Sequence, residues 1–143
     1  MTVPMAYSWS FLKQFNFTNP PTIVLGRSEE VLESYKIHGE TIKKNGGIEK
    51  HIKSCYLSTG NDYCMTKNNF PYYFEEDIGH YVIWFKLETF QDYNNPVAVN
   101  KIVADFQKKK GILFKDYVFF QNIERLRSVP GIPHIHVFAK LIT

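Results

Sequence analysis

Apolar residues recur at helical spacing in two long segments of this chain, residues 28–44 and 96–110. Each segment starts at a residue that caps helix N-termini, Ser28 for the first and Asn95 for the second, and each is followed by glycine. The apolar stripe of the second helix consists of Val99, Ile102, Val103 and Phe106. Shorter helices are predicted near the N-terminus and over residues 48–57.

Three apolar runs predict β-strands, and they cover residues 80–87, 116–121 and 134–142. The run from His80 to Phe85 has no polar break after the histidine, which is typical of a strand that is covered on both faces. Side chains alternate along a strand, so His80 and Trp84 share one face. Residues 58–69 are polar and rich in turn formers, and they predict a loop.

The connection between the last two predicted strands sets their relative direction. Residues 122–133 are too few for a crossover helix with its loops, so these two strands should pair antiparallel and bring Asn122 and Arg125 near His134. We therefore expect an α+β fold in which a small, mostly antiparallel sheet packs against two main helices. The 143 residues fit one domain, with residues 1–26 as an aromatic N-terminal arm and residues 27–143 as the α+β core.

Composition and charge narrow the class of protein. Aromatic residues make up 16% of the chain, which predicts either a core built on rings or a stacking surface. The net charge of +3 permits an anionic partner but does not indicate a duplex-DNA binder. Cys55 and Cys64 are too few for a disulfide framework and are expected to be reduced. The sequence has neither a membrane-spanning run nor a signal-peptide pattern, and it predicts a cytoplasmic protein without a membrane partner.

The segment from Asn122 to Phe138 holds the strongest candidate for chemistry. His134 and His136 are separated by one residue at the head of a predicted strand, so their imidazoles share a face with Cβ atoms roughly 6.5–7 Å apart. That separation suits one metal ion, or one phosphate group held from one side. The loop before the strand adds four polar candidates for ligand binding, Asn122, Arg125, Arg127 and Ser128.

His80 begins another strand and is the candidate third member of this site. If its strand runs parallel to the last one, all three imidazoles lie at the same end of the sheet, whereas antiparallel pairing would carry His80 to the opposite end. Three neutral imidazoles with an open position suit Zn²⁺ or another borderline metal. Without a metal, His134 and His136 would act as an acid/base pair, with Arg125 or Arg127 as an anion clamp.

Two stretches of the chain resemble a known family. They are NNFPYYFEEDIGHYVIWF, which contains His80 and Trp84, and LRSVPGIPHIHVF, which contains the histidine pair. Both are similar to a family of uncharacterised small proteins that includes the fungal N-acetylglucosamine-induced protein and has relatives in large DNA viruses. The resemblance covers roughly residues 65–140 and carries no established reaction; a viral source would add the virion as a location. It implies that the family signature includes His80, Trp84, Ser128, His134 and His136, with Trp84 as a further ligand-binding candidate.

Two enzyme families share pieces of this pattern. Histidine-triad nucleotide hydrolases place Asn and Ser-Val ahead of a His-x-His-x-His run, and the residues that imitate this order are Asn122, Ser128-Val129, His134 and His136. The third histidine is replaced by Phe138 or Ile132, depending on register, which argues against covalent catalysis because the nucleophile needs an orienting partner. Rolling-circle nucleases and relaxases bind a divalent metal with a His-hydrophobic-His strand, which His134-Ile135-His136 matches over three residues.

Two functions from different classes remain open, and the sequence does not decide whether the chain is an enzyme. The first is a small hydrolase or binding protein for a phosphorylated or nucleotide-like ligand, with perturbed histidines in a concave pocket. The second is a non-enzymatic assembly or adaptor protein, for example a viral structural component, whose histidines are structural. In that case residues 1–26 would present an exposed aromatic patch to a protein partner.

Overall fold

The computed structural model describes residues 1–142, which form five α-helices and one four-stranded sheet. The helices are α1 (Trp9–Leu12), α2 (Glu29–Lys44), α3 (Ile48–Tyr56), α4 (Phe90–Tyr93) and α5 (Pro96–Lys110). The strands are β1 (Tyr63–Lys67), β2 (Ile78–Phe85), β3 (Phe114–Phe120) and β4 (His134–Leu141). The sheet has the order β1-β2-β4-β3, and every neighbouring pair is antiparallel. The predicted α+β class and the antiparallel pairing of the last two strands are confirmed.

The two long helices begin and end where the sequence places their caps. The Ser28 hydroxyl accepts a hydrogen bond from the Val31 N–H, and the Asn95 side chain accepts one from the Ala98 N–H. Gly111 closes α5 with a φ of 65°, a left-handed conformation that glycine adopts without steric cost. None of the helices in residues 1–142 is long and apolar enough to cross a membrane.

Strand β1 lies within residues 58–69, where the sequence predicted a loop, and that prediction is wrong. The strand is only five residues long, and turn formers stand on both sides of it. It forms because β2 offers a complete row of backbone partners, in a register that sets Cys64 opposite Trp84. Strand formation depends on such tertiary context more strongly than helix formation does.

The two faces of the sheet bury separate cores around β2, which is buried along its whole length as predicted. One face packs against α5, and its cluster includes Tyr81, Ile83, Phe85, Val99, Ile102 and Val103. The opposite face packs against α3 and the loop before β4, and that cluster includes Ile52, Val82, Trp84, Val129 and Ile132. Phe106, the fourth member of the predicted α5 stripe, is only partly buried and meets Tyr81 edge-on.

The N-terminal arm packs its aromatic rings onto the sheet. Tyr7 stacks on Phe11 with ring centroids 4.8 Å apart, and Phe15 meets Phe120 of β3 edge-on at 5.9 Å. The large apolar side chains that the arm exposes are Met1, Met5, Ile23 and Val24. The aromatic side chains of the arm are all partly buried, and docking of residues 1–26 on a protein partner stays a prediction.

Gly79, the second residue of β2, provides a test of this packing. A Cβ atom at Gly79 would lie 2.7 Å from Cε2 of Tyr81, whose ring covers the glycine. We expect Gly79→Val to lower the free energy of unfolding by about 1–3 kcal/mol, the usual cost of overpacking. Gly39 in α2 has open space around it, so Gly39→Ala should raise that free energy by about 0.5–1 kcal/mol. Urea denaturation measures both, and a neutral Gly79→Val would contradict the packing.

Candidate functional site

His80 and His136 are neighbours, although their strands run antiparallel. The register of β2 and β4 sets Val82 opposite His136, so His80 stands one diagonal step from His136 on the same face. Nε2 of His80 lies 2.9 Å from Nδ1 of His136, and the His134 ring centroid is 5.4 Å from that of His136. The expectation that antiparallel pairing separates His80 from the pair is wrong, because β2 and β4 overlap along their length and both residues lie inside that overlap.

A chain of hydrogen bonds runs through the two buried rings. The backbone N–H of Tyr72 donates to Nδ1 of His80 at 3.2 Å, which leaves the proton of the neutral ring on Nε2. His80 Nε2–H then donates to Nδ1 of His136, and Nε2–H of His136 faces the side-chain amide of Asn122 at 3.3 Å. The Asn122 atom at this distance is the side-chain nitrogen, so the amide accepts the proton only in the flipped orientation that turns its oxygen toward His136. Every ring nitrogen of His80 and His136 therefore has a partner within the protein.

Burial keeps these imidazoles neutral. It lowers the pKa of both His80 and His136 well below 6.5, and the nearby charge of Arg27 lowers it further. The pKa of His134 is also lowered by burial, an effect that its bond to the Ile132 carbonyl opposes and the charge of Arg127 reinforces. Protonation of any of these rings is disfavoured because a charge in this environment would lack water and an acidic partner.

His134 differs from the other two because one of its nitrogens remains available. Its Nδ1–H donates to the carbonyl oxygen of Ile132 at 2.9 Å, so Nε2 is left as an acceptor. The Trp84 ring lies against it, with centroids 4.7 Å apart. The Trp84 indole N–H is buried and has no hydrogen-bond partner in the described residues. Among residues 1–142, a donor and an acceptor thus stand in adjacent rings without hydrogen-bond partners.

The polar residues of the loop before β4 do not all contact the groups that the sequence predicted. Asn122 was expected near His134, and it reaches the histidines through His136. Arg127 donates from Nε to the Asn122 carbonyl oxygen at 2.8 Å. Arg125 was also expected near His134, but it donates to the Thr22 carbonyl oxygen and so ties the loop to the N-terminal arm. Ser128 is exposed on the loop.

Two residues that the sequence did not single out complete the cluster. The Tyr72 ring lies over both His80 and His136, at centroid distances of 4.7 and 5.6 Å. Arg27 stacks on Tyr35 and Tyr72 and donates from Nε to the Phe70 carbonyl oxygen at 2.8 Å. In the sequence Arg27 only precedes a helix cap and Tyr72 only follows Phe-Pro, so no local signal marks either one.

The arrangement does not form the expected three-histidine metal site. Within residues 1–142, no group of three or more His, Cys, Asp or Glu side chains is placed to hold a metal ion. The reason lies in the hydrogen bonds: the nitrogens of His80 and His136 point at each other, and Nδ1 of His134 points at a carbonyl oxygen. A shared metal would need these nitrogens to point at one empty position. Asp77, the carboxylate that directly precedes β2, forms a salt bridge with Lys140.

Comparison with known proteins gives a family and a fold. A family model described as "Protein of unknown function (DUF3605)" matches residues 8–140. N-acetylglucosamine-induced protein 1 of Candida albicans is 38% identical over 89 residues, which cover 56% of this chain and only 35% of that protein. The crystal structure of HTC1 superposes with a TM-score of 0.58 over 96% of this chain and 86% of that chain. Its 20% identity makes this a likeness of fold alone. Relatives in large DNA viruses stay a prediction.

Proposed function

The chain belongs to the DUF3605 family of proteins of unknown function, and from that premise we propose that it is a non-catalytic domain that binds a protein partner. The observation that carries this proposal is the closed set of hydrogen bonds around His80 and His136. A general base needs a free lone pair within reach of substrate, and a metal ligand needs one that faces the ion. Neither buried ring offers one. We therefore assign His80, His136 and Asn122 to the structural core.

The same cluster explains why polar residues are tolerated in the core. A buried polar group without a partner costs about 1–3 kcal/mol, whereas a satisfied one is close to neutral. The Tyr72 N–H, the two imidazoles and the Asn122 amide satisfy one another in sequence. Their hydrogen bonds join β2, β4 and the loops after β1 and β3 in one fixed arrangement, which favours a role in specifying the fold.

A second function is favoured by one observation at the edge of this cluster. The acceptor of His134 and the unpartnered indole N–H of Trp84 would together suit a hydroxyl group of a small ligand, which can donate to the imidazole and accept from the indole. That ligand is the phosphorylated or nucleotide-like compound of the first hypothesis, with Arg127 as the adjacent cation. Hydrolysis would rest on His134 alone.

Ring-nitrogen NMR distinguishes the two functions. We expect ¹⁵N-labelled protein to show His80 and His136 protonated at Nε2 and His134 at Nδ1. Titration with ZnCl₂, inorganic phosphate or AMP should leave the His80 and His136 signals unmoved. Saturable shifts of those two rings would overturn the structural assignment. Shifts confined to His134 and the Trp84 indole would instead establish the second function.

The surface that meets the partner is a separate question. Docking through residues 1–26 stays a proposal, and it would use the apolar side chains that the arm exposes, among them Met5, Ile23 and Val24. The arm's aromatic rings are already engaged with the sheet. The opposite edge of the sheet, which β1 forms, has more of the features that a protein-binding surface needs.

A further inference from the structure

A groove of about 580 Å³ runs along the outer edge of β1. The end of α3 and the following loop form one wall, and α5 forms the other. Its lining includes Tyr56, Tyr63, Met65, Ile102, Phe106 and Lys109. Because the groove follows a strand at the end of the sheet order β1-β2-β4-β3, its floor is a sheet edge. A groove of this kind can bind either a small molecule or a peptide chain, and the backbone of β1 discriminates between them.

The backbone of β1 presents hydrogen-bonding groups to the groove that pair with no strand, and of these the Met65 carbonyl oxygen accepts a weak bond from the Cys64 thiol at 4.0 Å. The Lys86 N–H donates to the Asp62 carbonyl oxygen, and the Asn68 N–H donates to the His80 carbonyl oxygen, each at 2.9 Å. Antiparallel pairing alternates along a strand, so the even-numbered residues of β1 direct their backbone groups toward β2. The N–H and C=O groups of Tyr63 and Met65 therefore point away from β2, and no strand of residues 1–142 pairs with them.

The two walls of the groove match the two faces of an extended peptide. Side chains of such a peptide would alternate between α5 and α3. The α5 side offers an apolar surface formed by Met65, Ile102 and Phe106. The α3 side offers Tyr56 and the partly buried Cys64 thiol, which suit a small or polar side chain.

Charge at one end of the groove defines the partner further. Lys109 and Lys110 are exposed at the end of α5, and among residues 1–142 neither forms a salt bridge. Burial raises the pKa of the Cys64 thiol while both lysines lower it, so their charges act across the groove. Two carboxylates also line the groove, Asp105 one turn before Lys109 on α5 and Asp62 just before β1, where it accepts a hydrogen bond from the Tyr93 hydroxyl. An acidic side chain of a bound segment would lie at the lysine end.

We propose that this groove binds an extended segment of a partner protein as a fifth strand beside β1, with an acidic side chain facing Lys109 and Lys110. The inference rests on the proposed function, since it names the surface and the chemistry of the partner. Main-chain hydrogen bonds to Tyr63 and Met65 hold the segment, and the apolar wall selects alternate side chains. The histidine cluster lies behind β1 in the sheet and takes no part in this contact.

Peptide selection followed by amide hydrogen exchange tests the proposal. Heptapeptides are selected from a random display library against the full chain, and the strongest binder is synthesised. We expect alternating apolar residues and at least one acidic residue. Binding should slow exchange of the Tyr63 and Met65 amides at least tenfold and leave the Cys64 and Thr66 amides unchanged, because those already face β2. N-methylation of alternate peptide amides should abolish binding, and N-methylation of the others should not.

Charge-reversal variants provide the matched control. Lys109→Glu/Lys110→Glu should weaken the peptide at least tenfold, while Lys43→Glu/Lys44→Glu, the same change at the end of α2, should leave it unaffected. A selection without binders, or with binders that protect neither amide, overturns the groove as a strand acceptor. Pairing of two copies through β1, seen by sedimentation, or saturable AMP binding in the groove overturns the proposed occupant. All of these outcomes are independent of the histidine signals, so the two proposals can fail separately.

Discussion

The free energy of unfolding should fall by up to about 4 kcal/mol when the pH is lowered from 7 to 5, since each of two buried histidines contributes about 1.4 kcal/mol per pH unit below pH 6.5. The pKa of His80 and of His136 lies well below 6.5 in the folded protein. Below pH 6.5 the unfolded chain therefore binds protons that the folded chain does not. Their stabilising effect is complete above pH 6.5 and disappears as the pH falls toward the lowered values. Urea denaturation at a series of pH values measures this slope.

Two variants distinguish the loss of stability that comes from the buried histidines from a general loss of stability at low pH. His136→Leu should reduce the slope of the free energy of unfolding against pH by the contribution of about one proton, because one of the two titrating rings is gone. Val103→Ala removes buried volume on the opposite face of the sheet. It should therefore lower the free energy of unfolding by about the same amount at every pH. A wild-type curve that stays flat between pH 7 and 5 would show that the rings are charged or reachable by water in the folded state.

Phe138→Ala should lower the free energy of unfolding by about 3–5 kcal/mol, the range for a buried aromatic residue. Phe138 is fully buried, and its ring touches His80, Phe74 and Phe120 at centroid distances between 4.5 and 5.2 Å. The substitution leaves a cavity where the arm, β2 and β3 meet β4, and the rigid strands around it can collapse only in part. Thermal or chemical denaturation measures the loss.

Ile37→Ala is the matched control for that cavity. Ile37 lies on α2 and is 58% exposed, so the loss of its side chain should change stability by no more than about 0.5 kcal/mol. Alanine is also the better helix former at that position. A cost below about 1 kcal/mol for Phe138→Ala would mean that the cluster around Phe138, which includes Leu12, Val118 and Phe120, is loosely packed and that the arm contributes little to stability.

Local patterns predicted the elements whose causes are local. Capping by Ser28 and Asn95 depends on residues three positions away, and the burial of β2 follows from its own apolar run. The pairing of His80 with His136 depends instead on a register between strands 56 residues apart. A shift of that register by one residue would place the two rings on opposite faces of the sheet. No single stretch of the sequence encodes that choice.

For the loop before β4, the hydrogen-bond partner of each side chain was harder to predict than the position of the loop near the histidines. Proline and glycine bend the segment before β4, and side-chain reach then decides which arginine meets which carbonyl oxygen. Arg127 bonds within its own loop, whereas Arg125 reaches the N-terminal arm. Tyr72 enters the cluster through its backbone N–H, a donor that every residue except proline carries. Residue type therefore gave no information about that contact.

The position of β4 in the sheet has a consequence for how the chain folds during synthesis. Of the four strands in residues 1–142, β4 is the last to be synthesised, yet it lies between β2 and β3 and supplies both with backbone partners. Until it emerges, β2 and β3 each expose a strand edge, and the aromatic arm has an incomplete surface to pack on. Such delayed, long-range pairing slows folding and leaves the nascent chain open to association with its neighbours. Early binding by chaperones would protect the chain through that interval.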